Sequence, residues 1–167
     1  AQPLVEEIFG GKITGRTDET ITYIAPEDEV ASLFGEYSRK YPLTVYDSAY
    51  ILEGATNGKV LAKLTLPYSL QASSFLVCAD LELQVEADPN DPRNESASMH
   101  SDPPGIATDH PAMMEAEVGK GKIIWVCAPF ENTSLTQPRK VFTSFVKKYV
   151  PEMRFASDDT PYVVEYQ

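Results

Sequence analysis

The sequence predicts an α+β or α/β domain, a mixed β-sheet with flanking helices, and three observations carry that expectation. Residues 112–118 and 122–128 are two apolar-rich runs around Gly119-Lys120-Gly121, the pattern of a tight hairpin. Residues 138–149 set Val141, Phe142, Phe145, Val146 and Tyr149 along one helical face. With 167 residues, 43% of them hydrophobic, the chain is long enough for one domain with its own core.

In chain order, residues 3–9 read as a short helix. Pro3 suits a first turn, Leu4, Val5 and Ile8 share a face, and Gly10-Gly11 stops it. Ile21-Thr22-Tyr23-Ile24 is β-branched and aromatic, a strand. A second helix is expected from Pro26, with Glu27, Asp28 and Glu29 at its positive end. Its apolar set is Val30, Leu33, Phe34 and Tyr37, at i, i+3, i+4 and i+7.

Residues 43–52 and 59–66 flank Asn57-Gly58, which predicts a hairpin; Val60, Ala62, Leu64 and Leu66 alternate onto one face. Residues 75–85 read as another strand, followed by a polar, proline-punctuated loop at 87–95. Residues 100–111 read as a second loop. The run Ile123-Ile124-Trp125-Val126-Cys127 is apolar on both faces and predicts a central strand. The helix at 138–149 has Lys147 and Lys148 at its negative end and Pro151 beyond it; residues 162–166 alternate as a last strand. The expected organisation is one accessory domain over 1–167. It divides into entry helices and first strand (1–42), main sheet and helix (43–150) and terminal strand (151–167).

The formal net charge is −11, from 25 acidic against 14 basic residues. Such a surface repels phosphate backbones, so nucleic acid is not an expected partner. No apolar run approaches the roughly 20 residues that span a bilayer, and a membrane is not expected either. Cys78 and Cys127 each sit inside an apolar run and read as buried free thiols. The chain opens at Ala1 without an initiator Met or a basic-then-apolar leader, which leads us to expect a piece of a longer protein. No signal fixes the compartment; the cytoplasm is the default expectation.

Motifs for chemistry are sparse. Neither a Gly-x-Ser-x-Gly nor a Gly-x-Cys-x-Gly elbow occurs, nor a glycine-rich phosphate loop, and no cofactor is expected. His100, Asp102, Asp109 and His110 fall within eleven residues and form a candidate loop site, since imidazole and carboxylate can ligate zinc. Their spacing matches no standard metal site, so turn-forming loop residues are the expected role. The acidic stretch Glu86, Asp88, Asn90, Asp91 and Glu95 lacks the register of a calcium loop. Glu131 follows the strand at 122–128, where α/β folds place functional side chains, but spacing assigns it no second carboxylate. A glycosidase barrel needs ~250 residues, more than this chain has. Tyr46, Tyr50, Tyr68 and Trp125 are aromatics able to stack on sugar rings, and Trp125 stands in a run that reads as core.

Several motifs occur in a recognisable order from about Leu43. They are Gly58-Lys59-Val60-Leu61-Ala62 with Leu66-Pro67-Tyr68, then His100-Ser101-Asp102-Pro103-Pro104-Gly105. Asp109-His110-Pro111-Ala112 and Gly119-Lys120-Gly121-Lys122-Ile123-Ile124-Trp125 complete the set. This order resembles the C-terminal region of bacterial glycoside-hydrolase-like proteins. That region carries a β-galactosidase-trimerisation-type domain, related to class I glutamine amidotransferases (flavodoxin-like), after a catalytic barrel. The opening Leu4-Val5-Glu6-Glu7-Ile8-Phe9-Gly10 is similar to the helix preceding it.

The resemblance implies part of an amidotransferase-like domain without its catalytic Cys. Its implied partners are the catalytic barrel of the same parent chain and further copies of itself in a homo-oligomer. The early strands of the amidotransferase-like sheet are missing. The expectation is therefore a non-catalytic accessory domain of a larger bacterial glycoside hydrolase, supporting assembly or shaping a neighbouring sugar-binding cleft. Two alternatives stay open. One is a carbohydrate-binding module with Tyr68 and Glu131 as sugar contacts; the other is a small metal-dependent hydrolase built on His100, Asp102, Asp109 and His110.

Overall fold

A computed structural model describes residues 2–68, 103–131, 135–150, 155–156 and 165–166. The chain forms α1 (Gln2–Phe9), β1 (Lys12–Arg16), β2 (Thr22–Pro26), a 3-10 helix (Asp28–Leu33), β3 (Leu43–Val45), β4 (Tyr50–Glu53) and β5 (Lys59–Pro67). It continues through β6 (Pro104–Val118), β7 (Gly121–Val126), α2 (Thr136–Tyr149), β8 (Phe155–Ala156) and β9 (Glu165–Tyr166). The architecture is α+β. One five-stranded sheet runs in the order β3-β2-β5-β6-β7, with a separate β1-β4 pair and a short β8-β9 pair. Every ladder among the described residues is antiparallel.

Two apolar layers cover the sheet. On one face Ile24, Leu61, Leu64 and Met113 pack against Val30 and Phe34 of the 3-10 segment and Val141 and Phe145 of α2. On the other, Met114 and Ala116 pack against Phe9 of α1, Ile13 of β1 and Leu52 of β4. Neighbouring residues of β6 thus serve opposite layers, as strand alternation requires. Trp125 touches both clusters, and its ring lies 6.5 Å from that of Phe9.

The first helix, the 119–121 hairpin and the helix at 138–149 stand as read. Gly10 turns the chain out of α1 at φ 67°, and Gly119-Lys120 joins β6 to β7 with Val118 opposite Gly121. The expected strand at 162–166 appears as Glu165–Tyr166 paired with Phe155–Ala156, with 162–164 outside the described residues. The strand expected at 75–85, the acidic loop and Cys78 also lie outside them.

Several expectations need correction. The second helix does not start at Pro26, because Pro26 ends β2 and the Glu27 N–H donates to the Leu61 carbonyl at 2.9 Å, prolonging the sheet. What remains is a single 3-10 segment, closed by Gly35 at φ 65°. Its apolar set still faces inward, with Val30 and Phe34 buried and Leu33 and Tyr37 packed against them.

The hairpin expected around Asn57-Gly58 does not form. Residues 43–52 split into β3, beside β2, and β4, beside β1, while β5 lies between β2 and β6. Residues 56–57 instead donate both backbone N–H groups to the Phe9 carbonyl at 3.0 Å, which docks this turn onto the end of α1.

Residues 104–111, expected as loop, are the first half of β6. Its prolines fall where a ladder tolerates them: Pro104 starts the strand, and Pro111 stands opposite Lys63 between register shifts. Ile123 to Val126 are only half-buried and Cys127 alone of the run is fully buried, and among the described residues β7 pairs with β6 alone, at the edge of the sheet and not at its centre.

Candidate functional site

Beyond β7 the backbone bends away from the sheet, with the Phe130 N–H on the Ala128 carbonyl at 2.9 Å. The Cys127 N–H still reaches Ala112 of β6, and the Cys127 carbonyl accepts from the Tyr50 N–H, both at 2.9 Å. The first residue of β4 is thereby fixed against the end of β7. Between this corner and α2 opens a cleft of about 400 Å3. Ile124 and Val126 form its floor with Met113; Phe142 and Phe145 of α2, Phe130 and Tyr50 form its walls; Glu131 is the one carboxylate among the described lining residues.

The walls are aromatic and partly open to solvent. The rings of Phe130 and Phe142 meet edge to face at 6.3 Å, and Phe142 is 44% exposed. Tyr50 is 43% exposed. Its ring carries the Arg16 guanidinium 4.7 Å from its centroid, and Arg16 is itself anchored on Asp47 Oδ1 at 3.0 Å and the Ser48 carbonyl at 2.8 Å. One side of the Tyr50 ring is thus occupied by a cation. Cys127 is fully buried and free, and burial pushes its thiol up to about 12, so it offers no thiolate to the cleft.

The sequence-selected residues are not gathered at this cleft. Glu131 lines it, but Tyr68 does not. Tyr68 lies past the far end of β5, its N–H on the Pro103 carbonyl at 2.8 Å and its side chain over Gly105. Along β6 that is eight residues, roughly 25 Å, from the level of Ala112. The structure therefore does not bring Tyr68 and Glu131 together in this cleft.

Asp109 and His110 fall where the register of β6 against β5 shifts, between Ala107 opposite Thr65 and Pro111 opposite Lys63. Asp109 is taken by Lys63 Nζ at 2.8 Å; that bond and charge hold the carboxyl below its usual range and the ammonium above its own. His100 and Asp102 lie outside the described residues. Among the described residues no group of three or more His, Cys, Asp or Glu side chains converges as a metal site would require.

A second polar hollow, about 260 Å3, lies over β2, β5 and β6 and includes Glu27, Arg39, Lys63 and Asp109. Its charges are paired with one another: Arg39 with Glu27 and Asp28, Lys63 with Asp109. A third charged group, Glu115 with Lys122 and Tyr149, ties β6 to the end of α2.

Residue patterns alone missed the cleft. Phe142 reads as part of the helix stripe and Phe130 as loop, and nothing local signals that Tyr50, some eighty residues earlier, would face them. Tyr50 and Tyr46 (65%) are exposed, as a sugar-stacking role would need, and Trp125 is half-buried. Among the described residues no helix is long and apolar enough to cross a membrane. Comparison with protein-family models, curated proteins and solved structures finds no match.

Proposed function

We propose that this chain is a non-catalytic accessory domain of a larger bacterial glycoside hydrolase, and that it works through assembly. The observation that carries the reading is the cleft between β7 and α2. Among the described residues it is lined by aromatic and aliphatic side chains, with two partly exposed rings and one carboxylate, where glycosidic cleavage uses two. The other acidic groups of known partner serve the fold: Glu115 holds Lys122 and Tyr149, Asp47 holds Arg16, Glu29 holds Lys59 and Glu6 accepts from the Ile13 N–H.

The parent enzyme and its barrel enter through the ordered sequence motifs alone. An amidotransferase-like arrangement would place parallel strands in the sheet, and the described ladders run antiparallel. The assembly role accordingly rests on the cleft and not on that fold. Purified chain should hydrolyse no member of a glycoside panel, and Phe142→Asp should weaken its self-association. Turnover abolished by Glu131→Gln would refute the reading.

A sugar-binding role is the second reading. It is favoured by the exposed Tyr50 ring beside Glu131 in one cleft. Calorimetry with an oligosaccharide panel checks it: binding heat lost in Tyr50→Ala would support it, and a flat titration would remove it.

A further inference from the structure

The β6-β7 turn fixes which atoms of β7 face outward. Val118 and Gly121 close the two-residue hairpin, and the Cys127 N–H binds the Ala112 carbonyl, so Gly121, Ile123 and Trp125 direct their backbone groups toward β6, while the Cys127 carbonyl goes to the Tyr50 N–H. Lys122, Ile124 and Val126 therefore direct theirs away from the sheet. Among the described residues nothing bonds that edge. The edge bears no proline or bulge, and its apolar residues run in an unbroken series from Ile123 to Val126. Natural edges are usually blunted against pairing, and this one carries only Lys122.

The same residues floor the apolar cleft, since Ile124 and Val126 point from the open edge into it. A backbone edge and an apolar cleft together form a seat for an added β-strand. The charges identify the occupant. Lys120 stands just before β7 and Glu131 beyond its end, whereas Lys122 is already held by Glu115 of its own chain, in a molecule of net charge −11. Antiparallel pairing of two β7 strands about a twofold axis at Ile124 sets Lys122 opposite Val126 of the second copy. The basic start of each strand then lies along the acidic end of the other.

We infer that β7 pairs with β7 of a second copy, joining two five-stranded sheets into one and merging two apolar clefts into a single seam. Up to about six backbone hydrogen bonds form across the axis. The axis stands perpendicular to the sheet, so both α2 helices lie on the same face, with Phe142 of each copy over the seam. The inference rests on the assembly role proposed above and gives it a surface.

Sedimentation equilibrium of the full chain, from about 1 µM to about 1 mM, tests it. A monomer–dimer equilibrium is expected. Ile124→Pro removes one outward N–H that β6 does not use, and should weaken the dimer at least about tenfold with the circular dichroism spectrum retained. Lys120→Glu and Glu131→Lys, both at exposed positions, should each weaken it about threefold or more, and the double variant should recover most of the loss. If Ile124→Pro fails to fold, the charge exchange decides. A monomer throughout, or an oligomer indifferent to these variants, would overturn β7 pairing. If such material also turned over no glycoside, the non-catalytic role would survive that failure; glycoside turnover in a β7 dimer would do the reverse.

Discussion

The phenol of Tyr149, in the last turn of α2, donates to Oε2 of Glu115 in the middle of β6, and Lys122 of β7 binds the other carboxylate oxygen at 2.7 Å. The β6-β7 hairpin and the end of α2 thus meet on one carboxylate, which holds the wall of the cleft in place. Burial alone would raise Glu115, but the bonds from Lys122 and Tyr149 outweigh it and hold the carboxyl below its ordinary 4.5. Burial, reinforced by the Glu115 bond, pushes Tyr149 up to about 12.

Loss of this bond has a pH signature. Tyr149 is an acid whose folded pKa lies above its unfolded value of about 10, so its contribution is complete below about pH 10 and disappears as pH rises toward 12. Glu115 has the opposite sign: its contribution is present above about pH 4.5 and is lost as pH falls through its lowered value. Tyr149→Phe should cost about 1 kcal/mol in urea denaturation at neutral pH. Its stability should then fall less steeply than that of the unmodified chain above pH 10.

Two phenylalanines of the α2 face separate core from cleft. Phe34 is 1% exposed and meets Phe145 edge-on at 5.6 Å, whereas Phe142 is 44% exposed. Phe34→Ala should therefore cost about 3–5 kcal/mol, and Phe142→Ala under about 1.5 kcal/mol in dilute protein. Urea midpoints at constant slope would check the contrast.

Gly58 occupies a place no other residue fits. Its φ is +86°, and an added Cβ would come within 2.6 Å of the Glu115 carbonyl and 3.0 Å of the Phe9 ring. Gly58→Ala should cost about 2–3 kcal/mol, since backbone strain and a clash with fixed neighbours act together. Gly119→Ala, at φ +62° in open space, should cost about 1 kcal/mol. Thermal melts of the pair would rank them.

The Cys127 thiol, pushed up to about 12 by burial, should resist iodoacetamide in native buffer at about pH 8 and react on addition of denaturant. Mass spectrometry of the peptide bearing Cys127 reads the difference. Rapid labelling of the native chain would contradict the burial of this residue.

What the sequence made legible is what local chemistry decides. Gly119-Lys120 can form a two-residue turn with no help from the rest of the chain, and the stripe from Val141 to Tyr149 is periodic whatever it packs against. Asn57-Gly58 carries an equally good turn signal, but the partner of each flanking strand is chosen elsewhere. Phe9 takes both N–H groups of the turn, and β1 and β6 take the strands. Prolines misled for a related reason. Pro104 and Pro111 argue against a strand, and nothing local reveals that they fall at a strand start and between register shifts. The cleft needed tertiary contact between Tyr50, Phe130 and Phe142, which no pattern within one segment encodes. Of the candidate residues that the structure describes, Glu131 and Tyr50 line it.

Amide exchange followed by NMR at two protein concentrations tests the central claim most directly, because it reads the open edge residue by residue. In dilute protein the outward amides of Lys122, Ile124 and Val126 should exchange fast, while those of Ile123 and Trp125, bonded to β6, stay protected. At high concentration the outward three should become protected as well. Concentration-independent fast exchange at Lys122, Ile124 and Val126 would contradict assembly through this edge.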